Sequence, residues 1–191
     1  MAATAIGYLL GSLPFALLVA RRHGVDLHRS SDGNPGAWNA LEQLGPRRAW
    51  PAFAGDGLKG TLAGLCGLAL VGDWGAYAGV GGAMLGHAFP LFARFRGGKS
   101  VMTFVGGAPT LSPPAFACAA LAAVVAGAPA RSLAIGARVG VFSFPLWQLL
   151  FDPLERVAAT GGLMTLIGAL FIARPDRSGR ASFDSAAGQT R

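Results

Sequence analysis

Charge is what this chain has little of. Only 13% of its 191 residues are Asp, Glu, Lys or Arg, about half the share in an ordinary soluble domain. With 52% hydrophobic residues and a mean hydropathy of +0.48, it cannot cover a water-facing surface with polar groups. Composition therefore implies a membrane protein. Cysteine is equally sparse. Cys66 and Cys118 both fall inside apolar runs and lack the paired spacing of zinc ligands or redox motifs, which excludes a disulfide scaffold and a thiolate metal centre. No Gly-x-Ser-x-Gly elbow, HxxxxD pair or metal-ligand cluster occurs, so no nucleophile with its base and orienting partner can be assembled. Any catalysis has to rest on positioning and electrostatics.

The net charge is +7, yet no basic run interleaved with aromatics suggests nucleic acid. The basic residues gather instead where apolar runs end. Arg21, Arg22, Arg29, Arg47 and Arg48 form one group, then Arg94, Arg96 and Lys99, then Arg131, and finally Arg174, Arg177 and Arg180. Such bias marks cytoplasmic ends of membrane segments.

A helix needs roughly 20 apolar residues to cross a hydrocarbon core of ~30 Å. Runs near that length, or short of it, lie at residues 4–20, 49–71, 75–95, 100–111, 114–128, 132–151 and 157–173. The fold class expected is an all-α integral membrane protein of about seven transmembrane helices, some short or broken. With seven spans all four basic groups fall on one side, which puts the N-terminus outside and the C-terminus in the cytoplasm. Arg138, several residues into the sixth run, has to snorkel, pair or line a cavity, and six spans with a re-entrant piece stays open. The first run lacks a basic region before it and reads as a membrane helix, not a cleaved signal. Gly55-Asp56-Gly57-Leu58-Lys59-Gly60 is expected to break the second run, because glycines and a charged pair interrupt it. Glycines such as Gly79, Gly81, Gly82 and Gly86 suit close helix packing. Residues 1–174 read as one polytopic domain and 175–191 as a disordered cytoplasmic tail.

Two loops draw attention. Gly97-Gly98-Lys99 places a pliant backbone and a point charge just ahead of a helix N-terminus, an arrangement that suits phosphate oxygens. Arg94, Arg96 and Lys99 equally suit interfacial anchors. His87, two to three turns earlier, can orient or deprotonate a hydroxyl, or simply pack. Gly33-Asn34-Pro35-Gly36-Ala37-Trp38-Asn39 carries too many turn formers for a helix, and Asn34 and Asn39 offer amide donors and acceptors. Ser132 either donates to the same anion or caps a helix.

Taken in order, Gly7-Tyr8-Leu9-Leu10-Gly11-Ser12-Leu13-Pro14-Phe15, the Gly33-Asn34-Pro35-Gly36-Ala37 turn with Asn39, Asp56 with Leu58-Lys59-Gly60, and Gly86-His87-Ala88-Phe89-Pro90 with Phe95-Arg96-Gly97-Gly98-Lys99 resemble the PlsY-type acyl-phosphate:glycerol-3-phosphate acyltransferases. The resemblance implies a bacterial inner-membrane, multi-pass enzyme of phospholipid synthesis. It implies transfer of an acyl chain from acyl phosphate to the sn-1 hydroxyl of glycerol 3-phosphate, with lysophosphatidic acid and phosphate as products. No coenzyme A, carrier protein, metal, other cofactor or nucleic acid is implied. On this basis His87 and Lys99 are catalytic, and Asn34, Gly36, Asn39, Lys59, Gly97, Gly98 and Ser132 bind substrate.

Five positions depart from the family pattern. Asp32 and Glu42 stand where serine and arginine are usual, and carboxylates there add like charge beside an anion site. Trp38 replaces threonine, Ser100 a third glycine, and Asp176 lies roughly where asparagine is frequent. A weakly active relative that acts as a membrane partner or on another acceptor, and a small-solute transporter, remain as alternative readings of the sequence alone.

Overall fold

Proline and glycine decide where the helices stop. The structure, a computed structural model, describes residues 1–174, and among them every regular element is a helix. The expected tail at 175–191, with Asp176, lies outside the described residues. The first apolar run is two helices, α1 (Ala2–Gly11) and α2 (Phe15–Arg22), separated at Ser12-Leu13-Pro14. Pro14 has no N–H to continue the ladder and biases Leu13 away from helical geometry. The Leu13 carbonyl takes the Phe15 N–H at 3.1 Å and keeps a lone pair for a partner elsewhere.

The stretch at 33–39 is only partly loop. Gly33 takes a φ of +71°, but Gly36 is already the N-cap of α3 (Ala37–Leu44), so Trp38 and Asn39 are helical. The turn formers act on the four residues before the helix and not on the helix itself.

The break expected at 55–60 does not exist. α4 (Pro46–Val71) runs 26 residues through it. Each glycine costs a helix up to about 1 kcal/mol relative to alanine, but here each marks a close approach. A Cβ on Gly55 would overlap the Phe15 ring, and one on Gly60 the Thr103 carbonyl. Tight packing against α2 and α6 offsets the propensity loss, so the glycines are contact points and not hinges.

α5 (Asp73–Ala88) ends sooner than the apolar run that contains it, because Pro90 disfavours helical geometry at Phe89. A 3₁₀ turn at Leu91–Ala93 follows, then Arg94 and Phe95 at φ +53° and +60°. The remaining helices are α6 (Val101–Leu111), α7 (Pro113–Gly127), α8 (Leu133–Phe151) and α9 (Leu154–Ala173).

Small residues set the helix packing. α1 lies against α5 with Gly7 facing Gly79, Gly11 facing Ala83, and Gly86 facing Tyr8, so that a Cβ at any of these glycines would strike backbone. α4 packs on both α5 and α6, and α7 on α8. One buried cluster, with Val80, Met84, Phe104 and Phe144, joins α5, α6 and α8, and the two Phe rings meet edge to face at 5.9 Å. A second, with Leu17, Leu27, Ala37, Ala40 and Ala52, pins the 23–36 loop and α3 onto α2 and α4. This second cluster holds the asparagine loop in place.

Candidate functional site

The chain has two lysines, Lys59 and Lys99, and both are buried, at 2% and 8% exposure. An ammonium out of water needs compensating partners. Lys59 has two: its Nζ lies 2.9 Å from Asp56 Oδ1, one turn back on α4, and donates to the Leu13 carbonyl at 3.1 Å. The break between α1 and α2 thus supplies an acceptor that an unbroken helix would have withheld. His87, near the end of α5, brings Nδ1 to 3.5 Å from the same Asp56 oxygen. Its Nε2 faces the Gly98 backbone so closely that a Cβ on Gly98 would overlap it. Asp56, Lys59, His87, Leu13, Pro35, Gly97 and Gly98 line one narrow cleft. The two loops of interest in the sequence therefore do meet, beside the start of α2, the middle of α4 and the end of α5.

The Gly97-Gly98-Lys99 loop folds back on α5. The Gly97 N–H donates to the Ala88 carbonyl at 3.2 Å and the Gly98 N–H to the His87 carbonyl at 3.1 Å. These amides were expected to be free for an anion. In the structure they are engaged, and the glycines serve close approach: a Cβ on Gly97 would strike the His87 carbonyl. Ser100 lies at φ +63°, the left-handed region that glycine occupies without strain, which is why a third glycine would be natural there. Its Oγ donates to the Met84 carbonyl at 2.6 Å and helps hold the strained residue.

Arg174, at the end of α9, closes the loop from the other side. Its guanidinium donates to the carbonyls of Gly97 at 2.7 Å, Gly98 at 3.1 Å and Ala88 at 3.0 Å, and lies 4.9 Å from the Phe89 ring centre. Sequence reading treated it as one more basic residue at a span end. Its partners lie 76 to 86 residues away, and no local signal announces them.

The opposite loop is organised by Asn39. Its amide donates to the carbonyls of Leu27, Ser30 and Asn34 at 2.9–3.0 Å, while its Oδ1 accepts from Ser30 Oγ at 3.3 Å. Asn39 is thus a pin for the turn, its hydrogen-bonding capacity already used. Asn34 Oδ1 is buried without a partner, and Gly36 stands close enough that a Cβ would crowd the Asn34 amide. Asp32 accepts from the Asn34 N–H through Oδ1 at 2.9 Å and pairs with Lys99 Nζ through Oδ2 at 3.1 Å. Glu42 accepts from Trp38 Nε1 at 2.9 Å and from Ser31 Oγ, so two of the departures from the family pattern satisfy each other. Burial holds the His28 imidazole in the same loop below its ordinary range, with Arg96 and Arg21 acting the same way against Asp26.

Ser132 stands apart. It is the N-cap of α8, with Oγ accepting from the Ile135 N–H at 3.3 Å, and it does not line the cleft. Arg138 is exposed on α8.

A helical membrane chain with buried cations at one cleft defines the class, and comparison with known proteins supplies the family. The glycerol-3-phosphate acyltransferase family model matches residues 1–178. The glycerol-3-phosphate acyltransferase of Symbiobacterium thermophilum is 39% identical over 151 residues, covering 77% of this chain and 74% of that protein. The one from Sinorhizobium fredii is 37% identical over 170 residues, covering 85% and 80%. The crystal structure of PlsY, an integral membrane glycerol 3-phosphate acyltransferase, in its glycerol 3-phosphate form, superposes with a TM-score of 0.79 at 27% identity over 90% of this chain and 88% of that one. Its lysophosphatidic acid form gives a TM-score of 0.76 at 25% identity, over 97% and 91%. The chain belongs to the glycerol-3-phosphate acyltransferase family and is a membrane acyltransferase.

Proposed function

We propose that the protein transfers an acyl group from acyl phosphate to the sn-1 hydroxyl of glycerol 3-phosphate at the cleft between the 23–36 and 94–100 loops. The observation that carries this reading is the burial of Lys59 and His87 on that one cleft, with Lys99, next in sequence to the lining Gly98, buried against Asp32 of the facing loop. Lys99 binds phosphate oxygens as a charge-assisted donor. His87, with Nδ1 turned to Asp56, presents Nε2 to the acceptor hydroxyl and takes its proton. The hydroxyl oxygen bonds to the acyl carbon, the bond from that carbon to the phosphate oxygen breaks, and phosphate departs with the electron pair. An acyl phosphate is already activated, so alignment and charge neutralisation suffice. Lys59 and Asn39 act by shaping the pocket, one on the Leu13 carbonyl and the other on the turn.

The proposal includes one membrane domain over residues 1–174, with seven passes formed by α1 with α2, then α4 to α9, in a bacterial inner membrane. The N-terminus is outside and the cleft opens to the cytoplasm. The grouping of basic residues at one set of helix ends supports this orientation. At 1.5 Å per residue the 11 residues of α6 reach only about 16 Å. The buried Gly97 to Ser100 backbone ahead of it, with its polar groups met by Ala88, His87 and Arg174, continues the path at membrane depth.

The test is purified protein in detergent with an acyl phosphate and glycerol 3-phosphate. Phosphate release matched one to one by lysophosphatidic acid supports the reading. Absence of both products, or product from acyl-coenzyme A but not acyl phosphate, overturns it.

A further inference from the structure

We infer that the Asp32 carboxylate is an internal occupant of the phosphate subsite, which substrate phosphate must displace from Lys99 in order to bind. The inference rests on Lys99 being the phosphate ligand, as proposed above.

Three observations carry it. Lys99 Nζ is almost wholly buried, and it meets Asp32 Oδ2 at 3.1 Å and the Phe171 ring centre at 4.5 Å. The other Asp32 oxygen accepts from the Asn34 N–H at 2.9 Å. One carboxylate therefore spans two donors contributed by the two facing loops, which is how a phosphoryl group would bridge the same gap. The backbone is set to deliver it: Ser31 and Gly33, on either side, take φ of +49° and +71°, and Ser31 is tied through its hydroxyl to Glu42.

Charge accounting leads to the same place. Lys59 is matched by Asp56 and Lys99 by Asp32, so both lysines arrive already neutralised. An incoming phosphate gains Lys99 only by exchanging with a carboxylate of like sign. The Asp32 side chain retains 20% exposure, which leaves it a way out toward water. When phosphate leaves after transfer, the carboxylate returns, so the exchange disfavours retention of both acceptor and released phosphate. Asp32 is thus a specificity-determining residue that sets a high KM for the anionic acceptor and weak inhibition by inorganic phosphate.

Asp32→Asn keeps an oxygen acceptor for the Asn34 N–H and removes the charge, and Asp32→Ser keeps a hydroxyl in its place. Calorimetric titration of the purified full chain with inorganic phosphate and with glycerol 3-phosphate should show both variants binding about tenfold tighter or better than wild type. Asp26→Asn, an exposed carboxylate paired with Arg29 outside the cleft, should bind as wild type does. Equal or weaker binding by both Asp32 variants overturns the inference, as does an equal gain in Asp26→Asn, which would reduce the effect to overall charge. Turnover separates the two levels. Tighter phosphate binding with no acyl transfer in any protein sinks the proposed reaction and leaves the exchange standing, whereas wild-type turnover with unimproved binding sinks the exchange alone.

Discussion

Lys59 Nζ lies 2.9 Å from Asp56 Oδ1 and, in the same position, donates to the carbonyl of Leu13, 46 residues earlier in the chain. A single ammonium therefore locks the interrupted first span to the middle of α4, and the aspartate that balances it also faces the His87 imidazole.

Removing one member of so buried a pair leaves an uncompensated charge. Asp56→Asn or Lys59→Met should each cost about 3–5 kcal/mol of stability. The double substitution of Asp56→Leu with Lys59→Met should recover a good part of that, because no charge then stays buried. Unfolding midpoints in mixed detergent micelles measure both. A double variant as unstable as the singles would show that the charges themselves are needed for the fold.

Lys99 pairs across two loops and not between helices. Lys99→Ala should lower kcat/KM for glycerol 3-phosphate by on the order of 10- to 100-fold, the worth of one charged hydrogen bond, while the unfolding midpoint falls less than in the Asp56 and Lys59 single variants, because the stranded Asp32 carboxylate keeps a way to water. Unchanged turnover would return Lys99 to the role of an interfacial anchor.

Much of this was legible in the sequence, and the gaps have physical reasons. Apolar length and composition revealed a helical membrane protein. His87, Lys59 and Lys99 stand out as polar groups beside apolar runs, and Asn34 and Asn39 as amides that a plain tight turn does not need. The helix break was misplaced, since glycines in Gly55 to Gly60 look like flexibility until Phe15 and Thr103 are seen against them. The true break at Leu13-Pro14 carried an ordinary proline signal that the surrounding apolarity masked. Arg174 could not be found, because its acceptors are backbone carbonyls gathered only by folding. The amides of Gly97 and Gly98 looked free for the same reason.

Close packing of α1 on α5 makes a sharp prediction. Gly11→Val would drive its side chain into the Ala83 backbone and Gly86→Val into the Tyr8 carbonyl. Backbone cannot swing aside as a side-chain tip can, so each should destabilise by about 1–3 kcal/mol or more. Gly168→Ala on α9, with open space where a Cβ would go, should be neutral or slightly stabilising. Unfolding midpoints that fail to separate these positions would contradict the helix crossing.

The 23–36 loop should be acid-sensitive through His28, whose imidazole is held below its ordinary value near 6.5 chiefly by burial. The fold then favours the neutral form. As pH falls below about 6.5, the unfolded chain takes up a proton before the folded one does, so stability drops until the lowered folded value is passed and then levels off. His28→Gln should remove that part of the slope when thermal unfolding is followed over about pH 5 to 7. An unchanged slope would mean that another group, and not His28, carries the acid sensitivity.

Arg174 supplies the most discriminating test of the loop. Its planar guanidinium reaches three carbonyls at once, and the single ammonium of a lysine cannot reproduce that fork. Arg174→Lys should therefore behave much as Arg174→Ala does, although charge is kept. Both variants should raise hydrogen exchange at Gly97 and Gly98, whose amides depend on the loop lying against α5. Both should also lower kcat/KM by roughly tenfold, in line with the loss of charge-assisted hydrogen bonds. If Arg174→Lys keeps wild-type exchange and turnover, positive charge at the membrane surface is all that the position provides, and the loop is held by its contacts with Ala88 and His87 alone.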